Sequence, residues 1–286
     1  MGDAHPDAQV SGRTRTVGII GWPVDHSLSP RIHNAAFRAL GLDWLYVPLP
    51  VDPSDVDRAF PGLVALGFAG ANVTMPHKTV AAERADTLSD DARRLRAANT
   101  LVVEGSTVHG HNTDTPGFDR FLRHDAGFDP RGRSALIFGA GGAARACALA
   151  LARGGLASLV VAARDPARTE PLRAAIDGFG VGVHTVSFDE ADQVQADLIV
   201  NATPLGARNE PLPSPPIRED AIVVDLLYHP AVTPLQASAR SAGAMAFGGV
   251  GLLLHQAALS FELWTGRQPP LDVMSAAALA ALAERP

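Results

Sequence analysis

The sequence predicts an α/β protein of two domains, each built on a mostly parallel sheet, and three observations carry that prediction. Short apolar, β-branched runs alternate with helical segments through the first third of the chain and again through its middle. A glycine-rich turn, Gly139-Ala140-Gly141-Gly142-Ala143-Ala144, lies between one such run and a helix. At 286 residues the chain is long enough for two ordinary cores.

Val17 to Ile20 is the first candidate strand, followed by a loop through Ser27 and Ser29. A helix starts near Pro30 and runs to Leu40, since proline suits a first helical turn and Gly41 a helix end. Trp44 to Leu49 and Ala69 to Val73 read as the next strands. Asn99 to Val103 and Thr107 to His111 pair as a hairpin around Glu104-Gly105-Ser106, which gives this sheet an antiparallel edge. In the middle, Ala135 to Phe138, Leu159 to Ala162, Asp197 to Asn201 and Ala221 to Asp225 are short, apolar and followed by polar or glycine residues. Buried parallel strands have that form. Prolines and polar residues between Arg208 and Pro216 make a surface loop, and the chain ends in helices over Leu252 to Trp264 and Val273 to Glu284. Residues up to about Arg15 read as a loose polar tail.

Composition narrows the function. Hydrophobic residues at 47 % and charged residues at 19 % fit a soluble globular protein. A net charge of −6 argues against nucleic acid or an anionic membrane as the main partner, while a local cluster still allows an anionic small molecule. No apolar run approaches the ~20 residues of a membrane span. The start has neither the basic end nor the apolar stretch of a signal peptide. The single cysteine, Cys147, cannot form an internal disulfide, so the expected compartment is the cytoplasm. Its apolar helical setting makes it a core residue rather than a nucleophile. His109 and His111 share a strand face without a third ligand nearby, so no metal site is expected.

The glycine turn follows the strand ending at Phe138 and opens the helix carrying Cys147, which is the strand–turn–helix setting of a Rossmann dinucleotide-binding domain. Gly139, Ala140, Gly141, Gly142 and Ala143 bring backbone amides to a pyrophosphate at the helix N-terminus. Ala144 keeps helix and strand close. The end of the next strand, Ala162-Ala163-Arg164-Asp165-Pro166-Ala167-Arg168, supplies two arginines able to flank a 2′-phosphate, which favours NADP. Asp165 reads as the N-cap of a helix begun by Pro166. Turned inward it would instead repel that phosphate, so NAD stays the alternative.

Lys78 is the one lysine among 24 basic residues. Guanidinium stays charged in proteins, whereas an ammonium can give up a proton, so a lysine kept in an arginine-rich chain points to proton transfer. It ends Gly70-Ala71-Asn72-Val73-Thr74-Met75-Pro76-His77-Lys78, a strand running into a rigid polar loop.

Five polar islands complete the pattern: Ser27-Leu28-Ser29-Pro30, the Asn72 to Lys78 segment, Ala98-Asn99-Thr100, His111-Asn112-Thr113-Asp114, and Gly249-Val250-Gly251 with His255-Gln256. In kind and order they resemble the shikimate dehydrogenase family over about Val17 to the end. The resemblance implies that Ser27 and Ser29 hold a substrate carboxylate and that Thr74, Asn99, Asp114, Tyr228 and Gln256 bind the substrate. It further implies that Lys78 is catalytic with Asp114 beside it, and that Gly249 and Gly251 allow close approach of the nicotinamide. The implied reaction is the reversible, NADPH-dependent reduction of 3-dehydroshikimate to shikimate, a step toward chorismate and the aromatic amino acids. On chemical grounds alone, a ketone taking up hydride needs one proton, and a polyol carboxylate needs many neutral hydrogen-bonding groups.

The order of the islands implies a cofactor domain inserted in a substrate domain. Residues 1–114 with helices 248–286 bind substrate, residues 115–247 bind NADP, and the active site lies in the cleft between. The expected state is a monomer or homodimer. Alanine at 163 and aspartate at 165 depart from the Asn-Arg-Thr of many NADP-type members, which keeps open an NAD-dependent quinate/shikimate or aminoshikimate dehydrogenase. A non-catalytic dinucleotide sensor on the same scaffold would not need Lys78 and Asp114 together with the substrate hydroxyls.

Overall fold

The structure, a computed structural model, describes residues 10–208 and 210–284. The chain divides into two compact units, Met1–Thr113 with Ala257–Pro286, and Asp114–Gln256. The expected changes of domain fell at Asp114 and Phe247. The second observed division lies later, within the helix that carries Gln256.

The first unit contains β1 (Arg15–Gly21), α1 (Ser29–Ala39), β2 (Trp44–Pro50), α2 (Val56–Ala65), β3 (Gly70–Val73), α3 (Lys78–Arg84), β4 (Thr87–Leu88), α4 (Asp90–Leu95), β5 (Thr100–Glu104) and β6 (Thr107–His111). Its six strands lie in the order β2-β1-β3-β5-β6-β4. β5 runs antiparallel to both β3 and β6, while the β1–β2, β1–β3 and β4–β6 pairs are parallel. The expected hairpin is therefore present, yet its antiparallel strand lies inside the sheet rather than at an edge. The two-residue β4 continues beyond β6, where its Thr87 meets His109. α1 follows from sequence as expected: Pro30 is in its first turn, Ile32, Ala36 and Phe37 are buried, and Gly41 leaves it at φ +63°. The polar tail is shorter than expected, because Thr14 already donates to the Asp43 carboxylate at 2.6 Å and β1 starts at Arg15. Tail residues 1–9 lie outside the described residues.

The second unit contains α5 (Asp114–His124), β7 (Ser134–Phe138), α6 (Gly142–Arg153), β8 (Ser158–Ala162), α7 (Glu170–Ala175), β9 (Gly182–Val186), α8 (Phe188–Ala191), β10 (Leu198–Asn201), β11 (Ile222–Asp225), α9 (Pro234–Ser241) and β12 (Met245–Phe247), and most of the first half of α10 (Val250–Thr265). The rest of α10 and α11 (Leu271–Ala283) belong to the first unit. The sheet order β12-β11-β10-β7-β8-β9 is wholly parallel, the 3-2-1-4-5-6 order of a doubly wound dinucleotide fold. β7, β10 and β11 are buried because helices cover both faces of such a sheet, which is why they read as unbroken apolar runs. Cys147 is fully buried in α6, as its setting predicted. Among the described residues no helix is long and apolar enough to cross a membrane.

Candidate functional site

In the first unit the substrate-side islands fall at the ends of strands and the starts of helices. β1 runs into the loop bearing Ser27 and Ser29. Ser29, buried, is the first residue of α1, and its backbone N–H donates to the Ser27 hydroxyl at 3.3 Å. The residue before α1, Leu28, offers no side-chain cap, so the first amides of an 11-residue helix face outward with favourable charge for an anion. Gly21 permits this loop to meet the next: a side chain there would collide with Thr74 and Val24. β3 ends at Val73, Thr74 donates its backbone N–H to Ile20, and His77 donates to the Thr74 carbonyl at 2.9 Å. His77 is buried and its Nε2 lies 2.8 Å from the Val51 carbonyl, which pins the turn that delivers Lys78 as the first residue of α3. Lys78 is half-buried, and its carbonyl accepts from Ala98.

Behind these residues lies a buried hydroxyl–amide network that sequence reasoning missed. The Ser29 hydroxyl bonds the Tyr46 phenol, and Tyr46 donates to Asn72 Oδ1 at 2.8 Å. Burial pushes the phenol well above the ordinary tyrosine range, so it stays a neutral donor. Asn72 Nδ2 lies within reach of the Thr100 and Ser260 hydroxyls, at 3.1 and 3.0 Å. Thr100 and Thr113 both donate to Asn99 Oδ1, and so does the Thr113 backbone N–H at 2.8 Å. That backbone donor fixes the orientation of the buried Asn99 amide. Its oxygen accepts within the protein, and its Nδ2 lies 3.0 Å from the Thr113 hydroxyl. The islands naming Asn72, Thr100 and Thr113 are visible in sequence. Tyr46 and Ser260 carry no local signal, because their partners are distant along the chain.

The second unit holds the other group. Gly139, at φ +101°, leaves β7 beside Ala202 and Thr203 at the end of β10, and a side chain there would press on both. β7 and β10 are the pair where the strand order reverses, the place where doubly wound sheets take ligands. Gly141 is the N-cap of α6 with no side-chain cap, and a Cβ built on it meets nothing within 4 Å. Open backbone amides at the start of a 12-residue helix thus suit a pyrophosphate. Arg164 and Arg168 are both exposed at the end of β8. Asp165 accepts the Ala167 N–H at 3.0 Å and caps the short 3-10 turn Pro166–Thr169, so its carboxylate is occupied as a cap.

Gly249 donates to the Leu227 carbonyl at 2.9 Å and packs so tightly on Leu226 that a side chain there would collide with its backbone. This steadies the segment bearing the half-buried Tyr228. Asp225, just before it, is buried. Its oxygens accept from Asn201, the Leu227 N–H and the Thr233 hydroxyl at 3.0, 3.1 and 2.7 Å. Burial pushes the Asp225 carboxyl up against those three donors. Asp114 is the half-buried first residue of α5, and Gln256 lies on α10, its amide donating to the Leu253 carbonyl at 2.8 Å. Gly251 packs on the Phe121 ring, leaving no room for a side chain, so its role in the structure is helix contact. Among the described residues no cluster of three or more metal-ligating side chains is present.

Family models and known proteins match most of this chain. Residues 19–101 match the family described as "Shikimate dehydrogenase substrate binding domain", residues 249–279 "Shikimate 5'-dehydrogenase C-terminal domain", and residues 133–229 "NADP oxidoreductase coenzyme F420-dependent". The chain is 43 % identical over 282 residues to shikimate dehydrogenase (NADP(+)) of Geobacter metallireducens, covering 96 % of this chain and 99 % of the relative. Two solved structures superpose closely. Shikimate 5-dehydrogenase from Thermus thermophilus in complex with NADP(H) and shikimate gives a TM-score of 0.83 at 35 % identity, covering 94 % of this chain and 100 % of that one. Shikimate 5-dehydrogenase from Listeria monocytogenes in complex with shikimate and NAD gives 0.87 at 32 % identity, covering 93 % and 96 %.

Proposed function

This chain belongs to the shikimate dehydrogenase family, and from that premise we propose that it catalyses the reversible NADPH-dependent reduction of 3-dehydroshikimate to shikimate. The observation that carries the proposal is the buried network from Ser29 to Asn99. It holds the Ser29 hydroxyl and the Asn99 amide in fixed orientations, which supports their reading as groups that bind a small polyol carboxylate.

Ser27 and Ser29 hold the carboxylate at the N-terminus of α1, where the helix dipole supplements their hydroxyls. Thr74, Asn99, Asp114, Tyr228 and Gln256 bind the ring substituents, with the Asn99 amide held by the Thr113 backbone N–H. Gly139 to Ala143 and the amides of α6 take the pyrophosphate and Arg164 and Arg168 the 2′-phosphate, while Gly249, packed on the Leu226 backbone, belongs to the nicotinamide side of the site. When bound, the cofactor supplies the hydride. Lys78 transfers the proton at the substrate oxygen, and Asp114 is the second catalytic group. The reaction fits a cytoplasmic step of aromatic amino acid biosynthesis, in keeping with a single buried cysteine.

A second reading is an NAD-dependent quinate/shikimate dehydrogenase, whose cofactor, though not its quinate activity, is supported by the Listeria complex with shikimate and NAD. Initial rates with shikimate and quinate, each with NADP and NAD, separate the two. The proposal expects the highest kcat/KM for shikimate with NADP; a higher value for quinate with NAD would replace it with the second reading.

A further inference from the structure

We propose that Gly117 is a positioning residue whose missing side chain sets the spacing between Asp114 and Gln256. The inference rests on the reading of those two residues as substrate-binding groups. Gly117 is buried inside α5, three residues beyond Asp114, a rise of roughly 4.5 Å along the helix. A glycine within a helix costs about 1 kcal/mol relative to alanine. Its backbone is not in the left-handed region that would demand glycine. The reason is contact: a Cβ at 117 would sit 2.9 Å from the Gln256 backbone nitrogen and 3.0 Å from its Cα and Cβ. Ordinary contact begins at 3.4 Å, and the atoms in the way are mainly backbone, so no rotamer change relieves the clash. An alanine therefore has to push this turn of α10 away from the turn of α5 that carries Asp114.

Neither helix is free to slide aside. Phe121 of α5 fills the space over Gly251 of α10, and His255, next to Gln256, lies 3.2 Å from the Asp125 carboxylate at the end of α5. The Gln256 amide is itself held on the Leu253 carbonyl, so its reach is set by where the helix backbone stands. Relief of this overlap takes about 0.4–0.5 Å, and since a 1 Å misplacement of positioning groups can cost about a hundredfold, the loss here is about five- to tenfold.

The test is Gly117→Ala, measured alone and together with Gln256→Ala. The expected result is a fall in kcat/KM for shikimate of about five- to tenfold with the KM for NADP unchanged, and little further loss when Gly117→Ala is added to Gln256→Ala. Wild-type kcat/KM in Gly117→Ala, an equal rise in the KM for NADP, or full additivity of the two substitutions would each overturn the proposal. If Gly117→Ala does not fold, Gln256→Asn decides: it shortens the side chain by one methylene on an unmoved helix, and should be as slow as Gln256→Ala. Retained activity in Gln256→Asn would show that the spacing is not limiting. A wild-type protein inactive on shikimate would overturn the underlying functional reading, whereas an active wild type with an unimpaired Gly117→Ala overturns the spacing alone.

Discussion

His33 makes the stability of the proposed substrate unit depend on pH. It lies one turn after Ser29 on α1, fully buried, and its ring stacks on Tyr46 at 4.6 Å with Trp264 at 5.3 Å. Neither ring nitrogen has a hydrogen-bond partner. Desolvation alone lowers its pKa from 6.5 to about 3, so the folded protein keeps the ring neutral while the unfolded chain protonates it below 6.5. Below that value the unfolded state binds more protons, so stability falls as the pH falls from 6.5 toward 3. At roughly 1.4 kcal/mol per pH unit, the loss by pH 4.5 is about 3 kcal/mol, a large share of an ordinary domain's stability. Urea unfolding from pH 7.5 to 4.5 measures it in the wild type and in His33→Phe, whose packing penalty is independent of pH. The wild type should lose about 3 kcal/mol more than the variant over that range. Parallel pH profiles would show that His33 takes up its proton within the fold, contrary to its unpartnered burial.

Two further outcomes concern the cofactor. Arg164→Ala should raise the KM for NADP about ten- to a hundredfold and leave that for NAD nearly unchanged, since only NADP carries the 2′-phosphate. Equal effects would reduce Arg164 to a structural role. Asp165→Ala should leave the NADP-to-NAD ratio within about twofold while lowering stability by roughly 1 kcal/mol, the usual loss of a cap. A large rise in NADP preference would show instead that its carboxylate faces the phosphate.

Much of this architecture is legible in the chain itself. β1, β3, β7, β8, β10 and β11 stand out because strands covered on both faces need unbroken apolar runs. β9 and β12 do not: they are sheet edges with exposed or half-exposed positions, and β4 is only two residues long. The interior place of β5 is hidden because pairing order is set by distant contacts rather than local pattern. The same limit applies at the site. Ser29, Thr74, Lys78 and Asn99 stand in local motifs. Tyr46 and Ser260 join them only through space, Ser260 being 188 residues from Asn72. Asp165 reads as a cap from its neighbour Pro166, and the structure has it capping. Gly117 gives no such signal, since a lone glycine in a helix reveals its purpose only when the opposing backbone is known.

Proton transfer by Lys78 lies at the centre of the proposed chemistry, and turnover in Lys78→Ala set against Lys78→Arg isolates it. Removing the amine should slow turnover by about a hundredfold or more with NADP binding nearly intact. Arginine restores a positive charge but releases no proton near neutral pH. Lys78→Arg should therefore be nearly as slow as Lys78→Ala; an arginine variant that recovers much of the wild-type rate would show that the residue only binds charge.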